Sequence, residues 1–195
     1  MCERKERRAA MPEIRLHGRG GQGAALASRL LAEAAFIEGR HAQSFPAFGL
    51  ERRGAPVTAY TRIQDTPILN HSKIYAPDAA VVLDATLLKL ANVAEGLRPG
   101  GLVVINTDKG PGELGLPSGL RVAAVNAGAI AAERGLGSRL APIVNTAILG
   151  AFAAASGAVS LESVLEAIRR NVEFRTEDNA AACERAAIEV ETALL

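Results

Sequence analysis

Gly18, Gly20 and Gly23 stand at the spacing G-x-G-x-x-G, with Arg19, Gly21 and Gln22 between them. Glycines at this spacing let a backbone turn sharply and let a ligand approach main-chain amides. A helix starting just after them adds free N–H groups and the positive end of its dipole. The chemistry on offer is therefore capture of an anion, above all a phosphate. Arg19 can supply a full positive charge, and Gln22 can donate or accept hydrogen bonds. Two other readings compete. A dinucleotide site also needs an acid at the end of the next strand to hold ribose hydroxyls. The next strand candidate, HAQSF at 41–45, contains none, and Glu38 falls at a helix end beside Gly39. The plainer reading is a tight turn that packs a helix on a sheet and binds nothing.

Other residues invite chemistry less strongly. Arg52 and Arg53 lie in a loop bracketed by glycine and proline. They form either a solvated charge pair or a planar fork for a phosphate or a partner's carboxylates. His17 ends the first strand, where open α/β sheets place ligands, but a lone histidine is more often structural. His41 and His71 suggest no catalytic role. Asp84 ends a buried run with Thr86 nearby as a candidate helix cap, and reads best as a carboxylate bonding its own loop. Asn145, in an apolar helical stretch, is expected to hydrogen-bond a neighbouring loop. No Ser–His–Asp or Cys–His set can be argued, so no nucleophile and no catalytic residue are assigned. Cys2 and Cys183 are the only cysteines. They form no metal-ligand pattern or disulfide framework and are too few for an iron–sulfur cluster, which fits a reducing cytoplasm.

The elements that would position these residues alternate. EIRLH at 13–17 reads as a strand, and AALASRLLAEAAFIEG at 24–39 as a helix stopped by Gly39. Residues 41–56 are irregular, broken by Pro46, Gly49, Gly54 and Pro56. VTAYTRI at 57–63 is a strand rich in β-branched residues. AAVVLD at 79–84, LVVINT at 102–107 and RVAAVN at 121–126 are strands, the first two continuous apolar runs as in a sheet buried on both faces. TLLKLANVAEGL at 86–97 is expected to be a short helix, and 108–119 a loop. The C-terminal third is predicted to be helical throughout, including Thr176 to Leu195, with Ser160 capping one helix start. The fold class is α/β: a single three-layer α/β/α Rossmann-like domain over 11–195 with some antiparallel pairing. Residues 1–10 are expected to be a solvated tail.

Composition narrows the partners. Aromatic residues make up 4% with no Trp, too few to stack bases, and the net charge of +1 gives no field toward nucleic acid or acidic membranes. No apolar run is long enough to span a bilayer, and MCERKERRAA lacks the apolar core of a signal peptide.

The segment Phe45-Pro46-Ala47-Phe48-Gly49-Leu50-Glu51-Arg52-Arg53-Gly54-Ala55-Pro56-Val57 makes the reading specific. Together with His17–Gly23, it resembles the gamma subunits of thiamine-dependent 2-oxoacid:acceptor (ferredoxin) oxidoreductases. Pro142–Ala151 is similar to the family's late NxxxLGA helix, and Asn179 to its asparagine near the C-terminus. The matches lie in order over about 13–185. Leu50 replaces the proline expected before Glu51. ERRGAP is nearer the pyruvate and branched-chain (ketoisovalerate) members than the 2-oxoglutarate branch with its EMRGG, and aryl substrates such as phenylglyoxylate stay open. The resemblance implies a complex that oxidatively decarboxylates a 2-oxoacid to an acyl-coenzyme A. It would use thiamine diphosphate, Mg2+ and four-iron, four-sulfur clusters held on other chains. The implied partners are alpha, beta and ferredoxin-like delta-type subunits, with ferredoxin or an NAD-reducing flavin subunit as acceptor. Arg19, Gly20, Gly21, Gln22 and Gly23 are then candidates to meet coenzyme A or a phosphate, and Phe48, Glu51, Arg52 and Arg53 to form an interface. The alternatives are a stand-alone dinucleotide-binding oxidoreductase and a purely structural assembly module.

Overall fold

The computed structural model describes residues 13–47, 54–70, 72–138 and 140–195. In chain order the elements are β1 (Glu13–Arg19), α1 (Ala24–Ile37), β2 (His41–Pro46), β3 (Pro56–Gln64), β4 (Ala79–Val82), α2 (Leu87–Leu90), β5 (Leu102–Asn106), β6 (Arg121–Val125) and α3 (Ala127–Glu133). After these come β7 (Gly137–Ser138), β8 (Ala141–Pro142), α4 (Ala147–Ser156), α5 (Leu161–Asn171), α6 (Thr176–Glu189) and β9 (Glu191–Leu194). Seven strands form one sheet in the order β2-β3-β1-β4-β5-β6-β9, and β7 and β8 make a separate two-stranded ribbon. Pairs β1–β4, β4–β5 and β5–β6 are parallel, while β3 runs against both β1 and β2, and β9 against β6. The fold is therefore α/β with mixed strand direction as expected, but the segment expected to be irregular over 41–56 opens with a strand, His41–Pro46, paired antiparallel with β3.

The alternation of side chains along each strand divides the interior in two. Ile14 and Leu16 of β1, Val81 of β4 and Val104 of β5 pack against α1, α3, α4, α5 and α6. On the opposite face, Val82, Val103, Ile105 and Val122 pack against Leu87, Val93 and Leu120, from α2 and the connecting loops. The layer on this second face is thin, because α2 is a single turn. The helix expected over 86–97 stops at Leu90: Ala91 turns extended (φ −134°, ψ 136°), and Gly96 takes a left-handed conformation. The last stretch also departs from expectation. Glu191–Leu194 is a strand that continues the sheet beyond β6, since its backbone meets unpaired groups of β6 that a helix could not satisfy. Ser160 caps α5 as expected, its hydroxyl accepting from the Ser163 amide at 3.2 Å.

Candidate functional site

Strand order decides where a site can form. From β1 the chain crosses over α1 to one side of the sheet; from β4, the neighbour of β1, it continues to the other side. Ligands in open α/β sheets bind at such a divergence, beyond the carboxyl ends of the strands. Arg19 ends β1 and Asp84 follows β4, so both lie at this point.

The glycine loop is braced there from three sides. Arg19 Nε donates to Asp84 Oδ2 at 2.8 Å, its Nη1 to the Gly54 carbonyl at 3.0 Å and its Nη2 to the Thr86 hydroxyl at 2.7 Å. The Gly20 amide donates to the Ala55 carbonyl, and the Gly54 amide to the Gly20 carbonyl. Gln22 accepts from the Arg19 amide at 2.7 Å and donates to Asp84 at 3.2 Å. Asp84 also accepts from the Thr86 amide and hydroxyl. Partial burial pushes the Asp84 carboxyl up, but the bonds from Thr86, Arg19 and Gln22 outweigh it and hold the group below its ordinary value. Asp84 is thus the loop-bonding carboxylate foreseen from sequence, and also the counter-ion of Arg19. Its oxygens are committed, so it does not replace the missing ribose acid of a dinucleotide site.

Among the described residues, Arg19 uses three of its five guanidinium N–H groups within the chain. Gly21 and Gly23 take φ of 95° and 80°, a region that disfavours other residues. The structure brings the glycine loop against the Gly54–Pro56 end of the arginine loop, two segments far apart in sequence. Phe48, Glu51, Arg52 and Arg53 lie outside the described residues, as does His71.

The later segments reach the same place. Asn145 lies against Gly23, and Thr146 Oγ1 donates to Asn179 Oδ1 at 2.7 Å. Asn179 Nδ2 in turn donates to the Phe174 and Arg175 carbonyls, which ties the start of α6 to the start of α4. Among the described residues Asn145 does not bond a neighbouring loop as expected; its Oδ1 accepts from the next amide, that of Thr146. One contributor was missed in the sequence. Asn106, at the end of β5, donates to the Leu83 carbonyl and accepts from the Gly128 amide, stapling β4, β5 and α3 together. Its signal was an asparagine closing a buried strand. Among the described residues, no group of three His, Cys, Asp or Glu could hold a metal ion, and no helix is long and apolar enough to cross a membrane.

His17 has the structural role that its isolation suggested. Its Nε2 accepts from Arg15 Nε at 2.9 Å, and Arg15 Nη2 continues to the Val93 and Glu95 carbonyls. Burial, reinforced by Arg15, lowers the imidazole pKa from the usual 6.5 to about 4. Because the folded chain keeps this ring neutral, the unfolded chain takes up the proton first as pH falls. The stabilisation is complete above pH 6.5 and is lost as pH drops from 6.5 to about 4. At roughly 1.4 kcal/mol per unit, the loss is on the order of 2–3 kcal/mol. Urea midpoints of the wild type should fall, relative to those of His17→Gln, which keeps an acceptor but cannot take up the proton, as pH drops from 6.5 toward 4. Parallel pH profiles would refute the assignment.

A family model described as pyruvate ferredoxin/flavodoxin oxidoreductase matches residues 13–189. The chain is 53% identical over 182 residues to the pyruvate/ketoisovalerate oxidoreductases common subunit gamma of Thermococcus kodakarensis, covering 90% of this chain and 95% of that protein. It is 49% identical over 159 residues to pyruvate synthase subunit PorC of Methanosarcina barkeri, covering 82% and 85%. The crystal structure of the pyruvate oxidoreductase subunit PORC from Thermotoga maritima superposes with a TM-score of 0.80 at 35% identity, over 94% of this chain and 98% of that one. The same fold recurs at 19% identity and a TM-score of 0.69 over 32% of the 2-oxoglutarate:ferredoxin oxidoreductase chain of Magnetococcus marinus. The chain belongs to the pyruvate ferredoxin/flavodoxin oxidoreductase family. It is of the gamma-subunit type, a component of a 2-oxoacid:ferredoxin oxidoreductase complex.

Proposed function

We propose that this chain is the gamma subunit of a complex that oxidatively decarboxylates a 2-oxoacid, pyruvate or a branched-chain analogue, to an acyl-coenzyme A. Thiamine diphosphate with Mg2+ and the iron–sulfur clusters are held by alpha, beta and ferredoxin-like delta-type subunits in the cytoplasm. Electrons leave to ferredoxin or to an NAD-reducing flavin subunit. The contribution of this chain is to meet coenzyme A at residues 19–23 and to join its partners through the loop containing Phe48, Glu51, Arg52 and Arg53. One observation carries the reading: Arg19 ties the glycine loop to the Gly54 turn at the point where β1 and β4 diverge. A phosphate reaching the loop would therefore sit beside the Gly54–Pro56 turn. Exposed Leu69, Leu140, Phe174 and Ile188 give apolar surface that assembly would cover.

Native purification through a tag on this chain, with thiamine and iron quantified, tests the assembly. Thiamine-binding and ferredoxin-like chains are expected to copurify with 2-oxoacid:acceptor activity, and recovery of the chain alone would sink the reading. In that complex, Arg19→Ala should raise the KM for coenzyme A about tenfold, the loss expected for one charged hydrogen bond, with the KM for the 2-oxoacid unchanged. An unchanged KM for coenzyme A would make the loop an assembly element only.

A further inference from the structure

Strand β2 ends the sheet with an unguarded edge. In an antiparallel pair, alternate residues turn their N–H and C=O toward the neighbouring strand, and the others turn them away. The Ala47 amide, just beyond β2, donates to the Thr58 carbonyl at 2.8 Å, which fixes the phase. Gln43 and Phe45 therefore bond β3, while Ala42 and Ser44 aim both main-chain groups away from the sheet. Among the described residues no hydrogen bond meets those groups. Pro46 falls on the same outward side, where its missing N–H costs no ladder bond. Proteins commonly blunt such edges with charge, but HAQSFP contains no Asp, Glu, Lys or Arg. The opposite edge strand, β9, opens on Glu191 instead. A groove points independently at β2. About 620 Å³ of space lies along Arg40–Gln43, between Phe36 at the end of α1 and Pro67–Ile68 after β3. Phe36 is 68% exposed, and Leu69, next to Ile68, is 88% exposed. Arg40, the charged residue of the lining, is already held by Asp65 at 3.1 Å and by the Ala158 carbonyl at 2.6 Å. The described lining thus offers main-chain donors and acceptors between apolar walls, with its charge committed.

We propose that the open edge of β2 docks an extended, uncharged segment of a partner chain, which pairs with Ala42 and Ser44 and continues the sheet. Main-chain bonds supply the attachment, and side-chain pockets select the segment. Alternate side chains of an added strand fall on opposite faces, one set toward Phe36 and the other toward Ile68. The segment therefore carries apolar residues at alternate positions. A second copy of this chain is a poorer occupant, because its own Ala42 and Ser44 are too small to fill the space beside Phe36. The inference rests on the chain being a component of a larger complex. It is independent of the reading that the glycine loop faces coenzyme A.

The test compares amide hydrogen exchange, read residue by residue, in the isolated full chain and in the complex purified through it. Gln43 and Phe45 are expected to be protected in both states, since β3 holds them. Ala42 and Ser44 should gain protection only in the complex, by about tenfold or more. Equal exchange at Ala42 and Ser44 in the two states overturns the proposal, and that arm needs no variant to fold. A photo-crosslinking p-benzoylphenylalanine in place of Phe36 names the occupant. An adduct with a segment of another chain of the purified complex is expected, and an adduct with a second copy of this chain overturns the proposal. Ala42→Pro removes one outward N–H and leaves the β3 ladder whole. It should keep the far-ultraviolet circular dichroism of the chain and weaken its hold on that partner about tenfold. Unchanged retention by a folded Ala42→Pro chain overturns the proposal as well. If thiamine-binding chains copurify while Ala42 and Ser44 exchange freely, this inference fails and the assembly reading stands. If the purified partners include no thiamine-binding chain yet protect Ala42 and Ser44, the assembly reading fails and this inference stands.

Discussion

Gly150→Ala is expected to destabilise the chain by about 3 kcal/mol, although the same change in an exposed helix stabilises by about 1 kcal/mol. Gly150 lies within α4, where alanine is the better helix former. What reverses the sign is the neighbour. A Cβ at this position would stand 2.7 Å from the Cys183 carbonyl carbon of α6, and nearer still to its oxygen. Both groups are backbone, so no side chain can swing aside, and one helix must move. The Thr146–Asn179 bond at the start of the same helix pair would lengthen with it. Interiors this dense do not absorb such a shift at low cost. Urea denaturation should give the loss, and the thermal midpoint should fall by roughly 6–12 °C for a chain of this size. Gly112→Ala is the control, since a Cβ there meets nothing within 4 Å and no positive φ is involved; it should lie within about 0.5 kcal/mol of wild type. Equal midpoints for the two variants would show that α4 and α6 do not approach this closely.

Glu13→Ala should cost about as much through a different mechanism. Arg62 is 1% exposed, near the end of β3, and its charge is met by Glu13 Oε1 at 2.9 Å. Gln43 Oε1 and the Asn70 and Ser72 carbonyls take its other donors at 3.1, 2.7 and 3.2 Å. Removing the carboxylate leaves three neutral acceptors around a buried cation. Breaking a buried pair from one side typically costs 3–5 kcal/mol, whereas replacing both members with apolar residues is often neutral. The decisive comparison is therefore Glu13→Ala against the double variant Glu13→Leu/Arg62→Met. The single change should lower stability by about 3 kcal/mol, and the double should recover most of it. A double variant no more stable than the single one would locate the cost in lost packing and not in the stranded charge.

Much of the fold was legible because its signals are local. The apolar runs at 79–84 and 102–107 read as strands buried on both faces, and the glycine loop between EIRLH and a helical stripe read as the opening of an α/β unit. Glu191–Leu194 was not legible: a short ETAL stretch after a long helical run has no local reason to become extended until β6 offers it a backbone to pair with. The helix expected at 86–97 failed for a similar reason, since its apolar residues serve the second face from turns as well as they would from a helix. At the site, residue types were readable but partnerships were not. Arg19 was visible as a cation, yet nothing in the sequence announced that Asp84, Thr86 and Gly54 would claim three of its donors. Asn145 was expected to bond a loop. Its contact with Gly23 exists only because the fold brings together positions more than a hundred apart in sequence.

The insertion of β3 between β1 and β2 has a kinetic consequence. When β1, α1 and β2 have formed locally, β2 has no neighbour, because it pairs only with β3 and β1 pairs with β3 and β4. The unit that opens the chain thus cannot close on itself, and Ile14 waits for Ala79 before its strand is flanked on both sides. Loop closure of this length must precede any reward from pairing, which puts folding at about milliseconds to seconds and not microseconds. A fragment ending before Ala79 would carry the entire glycine loop yet leave one flank of β1 bare, so it should aggregate where the full chain folds.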